Sequence, residues 1–169
     1  MLKIDLSGKT ALITGSTDGI GNACARGFLG ANANVVINGR NRDKVEAIAE
    51  QLRADFPGPK VTAAPADVGS LEGCKSLIAQ VPSCDILINN VAVVALDDAL
   101  EASDETYRRL WEINFMSALR MSRAYLPGMI ERNEGRILFS GAQRPLMAYK
   151  GGTAYSASKF AQVSLARSL

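Results

Sequence analysis

The sequence predicts an α/β fold, a parallel sheet wrapped by helices in a doubly wound arrangement. Three observations carry this. Apolar runs of strand length alternate with helical patterns along the 169 residues, the signature of strands and helices packed in layers. Several of those runs are continuously apolar, as expected for strands buried on both faces. A glycine-rich turn, TGSTDGIG, joins the first run to the first helical segment. Right-handed crossovers then wind the helices onto both faces of the sheet.

In order, TALIT (10–14), NVVIN (34–38), KVTAA (60–64), DILIN (85–89) and RILFS (136–140) read as strands. Helices are expected at roughly 19–30, 42–56, 70–81 and 103–132. Asn41, Ser70 and Ser103 stand where N-caps belong, because a short polar side chain there accepts from an otherwise unpaired N–H. PGP at 57–59 ends the second helix and turns the chain. The expected strand order is 3-2-1-4-5, with ligand groups at the carboxyl ends of the strands. The final stretch, TAYSASKFAQVSLARSL, reads as a helix that stops at Leu169 without a capping signal. It lacks a following strand, so the expectation is either a fragment or a protein that ends abruptly.

The totals exclude several function classes. Hydrophobic residues are 47% and charged residues 21% of the chain, an ordinary globular balance. A net charge of +2 with scattered basic residues does not argue for nucleic acid. The longest apolar run, 91–96, is too short to span a bilayer. Cys24, Cys74 and Cys84 form no C-x-x-C pair and there is no histidine, so no metal site is expected. Unpaired, widely spaced cysteines without a secretory segment read as reduced thiols, and a cytoplasmic location is expected.

TGSTDGIG comprises Thr14, Gly15, Ser16, Thr17, Asp18, Gly19, Ile20 and Gly21. A nucleotide pyrophosphate docks at such a position, against backbone N–H groups and a helix N-terminus. Glycines permit the tight turn and the close approach of backbone. A glycine-rich turn that binds nothing is the plainer alternative. GKT at 8–10 is not a phosphate-binding P-loop, because it precedes the strand and Lys3 stands where the upstream glycine is required.

With no histidine, proton chemistry near neutral pH needs another group. In YSASK, Tyr155 and Lys159 are four apart, so on a helix they share a face. A free phenol has a pKa of about 10, and a nearby ammonium favours the phenolate. A shift of about two to three units, or about 3–4 kcal/mol, makes it a useful acid/base. An amphipathic helix with a surface lysine is the alternative reading.

TGSTDGIG, the pair Asn89–Asn90, Asn114 in EINFMSAL, and YSASK occur in one order and spacing. In these four motifs, and over its whole length, the chain resembles the short-chain dehydrogenase/reductase family. The resemblance implies a single NAD(P)-binding Rossmann-type domain over residues 1–169, ending within a helix. It implies an NAD(P)-dependent enzyme that transfers hydride between a nicotinamide and a carbonyl or alcohol, with that small molecule as its partner. Tyr155 is then the acid/base and, like Lys159, also a cofactor-binding residue, Lys159 holding the nicotinamide ribose, and Asn114 supports a proton relay through water. Asn90 lines the cofactor cleft, and Asp67 and Val68 lie beside the adenine. Members usually continue with a sixth strand, a substrate-covering segment and a seventh strand, which this chain lacks. Helices of this kind often form dimer contacts in the family, so a homo-oligomer is an open expectation.

NADP is expected over NAD. An acidic residue ending the second strand would bind the ribose 2′-hydroxyl of NAD, whereas an arginine suits a 2′-phosphate. Here Gly39 is followed by Arg40, with Arg42 a second candidate. A guanidinium pairs with phosphate through charge-assisted, bidentate hydrogen bonds.

The match fails at two places. The family serine that partners the tyrosine falls on Ala142, which has no hydroxyl. Ser140 is two residues early, about 6–7 Å back along a strand, unless Gly141 supports a bulge. NNVA places Ala92 where the family has a glycine, which puts close backbone packing there in doubt. Two classes therefore stay open: an NADP(H)-dependent oxidoreductase, or a dinucleotide-binding, catalytically weak relative that acts by binding or assembly. The substrate's walls are expected around 91–101 and 142–152.

Overall fold

The computed structural model describes residues 4–142 and 151–169. Five strands form one parallel sheet: β1 (Thr10–Ile13), β2 (Asn34–Gly39), β3 (Val61–Pro65), β4 (Ile86–Asn89) and β5 (Arg136–Phe139). Their order is β3-β2-β1-β4-β5, as expected from the sequence. Around them lie α1 (Gly19–Gly30), α2 (Arg42–Asp55), α3 (Leu71–Gln80), α4 (Asp104–Leu110), α5 (Ser117–Glu131) and α6 (Thr153–Ser168).

Why the apolar runs are continuous follows from where alternate residues go. On β1, Ala11 and Ile13 pack with Ala25 and Leu29 of α1 and Val45, Ala49 and Leu52 of α2. Leu12, pointing the other way, packs with Leu77 of α3 and Met121, Tyr125 and Met129 of α5. Both faces of the strand are therefore core, and a polar residue at any of these three positions would be desolvated. Each buried leucine or isoleucine contributes about 1.5–3 kcal/mol relative to exposure.

The three expected N-caps are made. Asn41 accepts from Lys44 N, Ser70 from Gly73 N and Ser103 from Thr106 N. α1 matches its expected bounds, and β3 lies one residue later than its apolar run suggests.

The expected single helix over 103–132 is three pieces. Between α4 and α5 runs a π-helical segment, Trp111–Met116. A π turn inserts a residue into the helical ladder, and such turns are frequent at functional sites. Here it carries Asn114, fully buried. The 3.6-residue periodicity that marks a helix does not reveal this local widening. β5 shows regular register with β4 from Arg136 to Phe139, so the bulge that would move Ser140 forward does not occur within that strand.

Candidate functional site

The glycine loop lies at the carboxyl end of β1. Gly15 has φ +63°, a conformation that a side chain disfavours. A Cβ at Gly21 would sit 2.4 Å from the Gly15 carbonyl and 2.8 Å from Ser16 Cα. α1 can approach the loop this closely only because residue 21 is glycine. Asp18 caps α1, accepting from Gly19 N at 2.8 Å. Lys44, 3.1 Å away, holds the Asp18 carboxyl below its usual pKa through their hydrogen bond. Ile20 is exposed at the start of α1.

Two asparagines brace the loop from neighbouring strands. Asn38 on β2 accepts from Gly15 N at 3.3 Å and donates to Ala64 O and Ala66 O. Asn90, just past β4, donates to Thr14 O and Gly15 O, each at 3.0 Å. Ser16 is fully buried; its hydroxyl donates to Ile13 O and its N–H to Asn38 O. Its contribution is to the shape of the loop. Thr14 Oγ1 accepts from Asn90 N, tying β1 to β4.

Beside the loop is a cleft of about 350 Å³, lined by Gly15, Thr17, Arg40, Asp67, Val68 and Asn90 among others. Thus the loop, the end of β2 and the turn after β3 converge as the sequence suggests. Asp67 accepts from Gly69 N at 3.0 Å, while Val68 is buried in the core behind it. Arg40 is exposed at the cleft. Gly39 has a steric role that its lack of charge does not suggest. A Cβ there would lie 2.9 Å from Thr17 Cγ2 and 3.2 Å from Val45 Cγ2. Ala92 is exposed on the cleft wall, so its methyl group is accommodated.

Lys159, on α6, is only 3% exposed. Burial lowers its pKa from the ordinary lysine value. Its ammonium donates to Ser140 O and to Gln162 Oε1, both at 2.9 Å. Tyr155, half-buried, lies one turn earlier on the same helix. Asn114 reaches α6 from the π segment. Its Oδ1 accepts from Val93 N at 2.8 Å, and its Nδ2 donates to Val93 O and to Ser158 Oγ. Ser158 Oγ donates in turn to Tyr155 O. The Asn114 side chain therefore ties the loop after β4 to α6, and its backbone carbonyl accepts from Gln162 Nε2 at 3.3 Å.

Ser140 directs its hydroxyl proton to the glycine-loop side of the cleft. Its Oγ donates to Asn90 Oδ1 at 2.9 Å, and its N–H pairs with Asn89 O. Ala142 is half-buried and supplies no hydroxyl in its place. Of the expected substrate walls, 91–101 is described, whereas 143–150 lies outside the described residues.

Sequence reasoning missed Asn38, Ser158 and Gln162. One signal was present for Asn38: a polar residue directly after the apolar run Val35, Val36 and Ile37. Gln162 sits three residues after Lys159, on the same helical face, but helix spacing alone does not say what it meets. Among the described residues no helix is long and apolar enough to cross a membrane, and no cluster of potential metal ligands occurs.

The family model described as "short chain dehydrogenase" matches residues 9–169. An uncharacterized oxidoreductase of Bacillus subtilis, YvaG, is 39% identical over 168 residues, covering 99% of this chain and 64% of that protein. An NADP-dependent 3-hydroxy acid dehydrogenase of Salmonella typhi, YdfG, is 33% identical over 153 residues, covering 88% of this chain and 60% of that protein. Among solved structures, the L-sorbose reductase of Gluconobacter frateurii, complexed with NADPH and L-sorbose, superposes with a TM-score of 0.91. It is 31% identical, and the match covers 99% of this chain and 65% of that one. The chain thus spans just under two thirds of the length of these relatives. A family match that runs from the first strand to the last helix, on a fold that superposes on a solved reductase, leads to one assignment: the chain belongs to the short-chain dehydrogenase/reductase family.

Proposed function

We propose that the protein is an NADP(H)-dependent oxidoreductase for a small carbonyl or alcohol substrate, with Tyr155 as its acid/base. The observation that carries this reading is the buried Lys159 ammonium one helical turn from Tyr155, joined by hydrogen bonds to the braced glycine loop through Ser140 and Asn90.

The residues present fit a dinucleotide. Gly15 and Gly21 leave the backbone bare at the loop, and the adjoining cleft has room. Gly15, Thr17, Asp18, Gly19, Ile20 and Gly21 would hold the pyrophosphate side, with Ser16 and Asn90 supporting the loop. Asp67 and Val68 would flank the adenine. Arg40 would meet the 2′-phosphate, with no carboxylate at residue 39 to repel it. The Lys44 ammonium offsets the Asp18 carboxylate nearby. NADPH in the solved L-sorbose reductase supports this choice. When bound, the nicotinamide supplies or accepts the hydride.

This chain's own contribution is proton handling and orientation. Tyr155 would donate a proton to the substrate oxygen in reduction and take it back in oxidation. The Lys159 ammonium would favour the phenolate and bind the ribose hydroxyls. Asn114 would fix the relative position of α6 and the loop after β4. A second reading, a dinucleotide-binding relative with weak catalysis, is favoured by Ala142 alone.

The test pairs cofactor titration with a carbonyl-substrate screen in the full chain. NADPH should bind more tightly than NADH, and Arg40→Ala should weaken NADPH selectively. Equal losses for both cofactors would refute the phosphate contact. Tyr155→Phe should abolish turnover while leaving NADPH binding nearly intact; full turnover without the phenol would refute the acid/base role.

A further inference from the structure

We propose that Gln162 is a positioning residue whose amide links the Asn114 carbonyl to the Lys159 ammonium and holds that ammonium in place for Tyr155. The inference rests on the acid/base reading of Tyr155 and deepens it.

Gln162 is 2% exposed, in the middle of α6. An apolar residue would occupy such a position without the cost of burying an amide. What offsets that cost is a pair of hydrogen bonds of fixed direction. Lys159 Nζ can only donate and a backbone carbonyl can only accept. Gln162 Oε1 must therefore face Nζ, at 2.9 Å, and Nε2 must face Asn114 O, at 3.3 Å. A flipped amide would turn both contacts repulsive, so the orientation follows from the partners.

The link transmits position. An amide donates and accepts but does not readily pass a proton on, unlike water or a hydroxyl. By accepting from Nζ, Oε1 favours the charged amine against the burial that disfavours it. An ammonium in turn favours the Tyr155 phenolate. Removing the amide should therefore raise the Tyr155 pKa.

Among the described residues, the other charges on the packed elements are paired or exposed, Arg109 on α4 being exposed. On α4, Tyr107 OH bonds Thr153 Oγ1, and Arg108 pairs with Asp104 and Glu105 on the exposed surface. On the π segment, Glu112 pairs with Arg120. On β5, Arg136 donates to Gly135 O. Burial is the cause that lowers Lys159.

Three variants separate a link from mere packing. Gln162→Met and Gln162→Leu fill the space but break the link. Gln162→Ala opens space bounded by Asn114 O and Nζ, polar enough to take a bridging water. Phenolate absorbance is titrated in each variant of the full chain, with the matched Tyr155→Phe protein subtracted to isolate Tyr155. This readout needs neither cofactor nor turnover. Met and Leu should raise the Tyr155 midpoint by about one unit, a tenfold loss of phenolate, and Ala should recover most of it. Two apolar variants guard against one failing to fold. A packing role predicts the reverse order, with Ala the most damaging because it leaves a cavity. That order, or a midpoint unmoved by Met and Leu, would overturn the proposal. A parent protein whose Tyr155 titrates at about 10 would overturn the acid/base reading itself, and this inference with it.

Discussion

Two glycines on one helix should respond to the same substitution with opposite sign. Gly21 and Gly27 both lie in α1. A Cβ at Gly27 meets nothing within 4 Å, so Gly27→Ala gains helix propensity without a clash. Replacing a helical glycine by alanine stabilises by about 0.5–1 kcal/mol. At Gly21 the new methyl would lie 2.4 Å from Gly15 O, 2.7 Å from Asn90 Nδ2 and 2.8 Å from Ser16 Cα. Two of those three atoms are backbone, and Asn90 is anchored to Thr14 O and Gly15 O, so no flexible side chain can yield. Overpacking of this kind costs about 1–3 kcal/mol, outweighing the propensity gain. With a urea slope of about 2 kcal/mol/M, the midpoint should fall by up to about 1 M for Gly21→Ala and rise by about 0.3–0.5 M for Gly27→Ala. Urea unfolding followed by circular dichroism reads both. NADPH titration should show a loss for Gly21→Ala only, because the displaced atoms are those of the proposed pyrophosphate cradle. A Gly21→Ala protein as stable as Gly27→Ala would refute the close-approach argument.

Two further predictions concern the site and the core. In the full chain, Ala142→Ser should raise carbonyl turnover with cofactor affinity nearly unchanged, since one oriented donor at a reacting oxygen is worth about 3–4 kcal/mol. Ser140→Ala should instead release Asn90 Oδ1 and loosen the glycine loop; the reverse pattern would make Ser140 the working hydroxyl. Stability should fall in alkali. Burial pushes the Cys84 thiol up to about 12 and raises the Tyr125 phenol, whose hydroxyl donates to Val81 O. Both groups stay protonated when folded, so their contribution is complete below the unfolded values of about 8.5 and 10. It is lost as pH rises and the unfolded chain sheds those protons. The urea midpoint should drop from about pH 8.5, where the unfolded Cys84 thiol begins to ionise, and go on dropping towards the folded value of about 12, and Cys84→Ala should flatten the onset of that drop. A flat profile in the parent protein would refute the argument.

Much of the architecture is legible in local pattern. Continuous apolar runs mark strands with core on both faces, and Asn41, Ser70 and Ser103 mark helix starts that the structure confirms. These signals act within a few residues, where periodicity and capping operate. The π segment escaped because one inserted residue is too small a shift to show in the helical spacing around it. That no bulge falls within Arg136–Phe139 could be learned only from the β4–β5 register.

By itself, then, the sequence determined the sheet and its helices, the glycine loop, and the face shared by Tyr155 and Lys159. Each depends on spacing along the chain. The tertiary structure decided how those parts are held. Asn90 reaches Gly15 across 75 residues of sequence, and Gln162 reaches Asn114 across 48. Gly39 needs its small size because of Thr17, a residue of the glycine loop. Hydrogen bonds and close approaches of this kind are set by where strands and helices meet, and that meeting has no period to read.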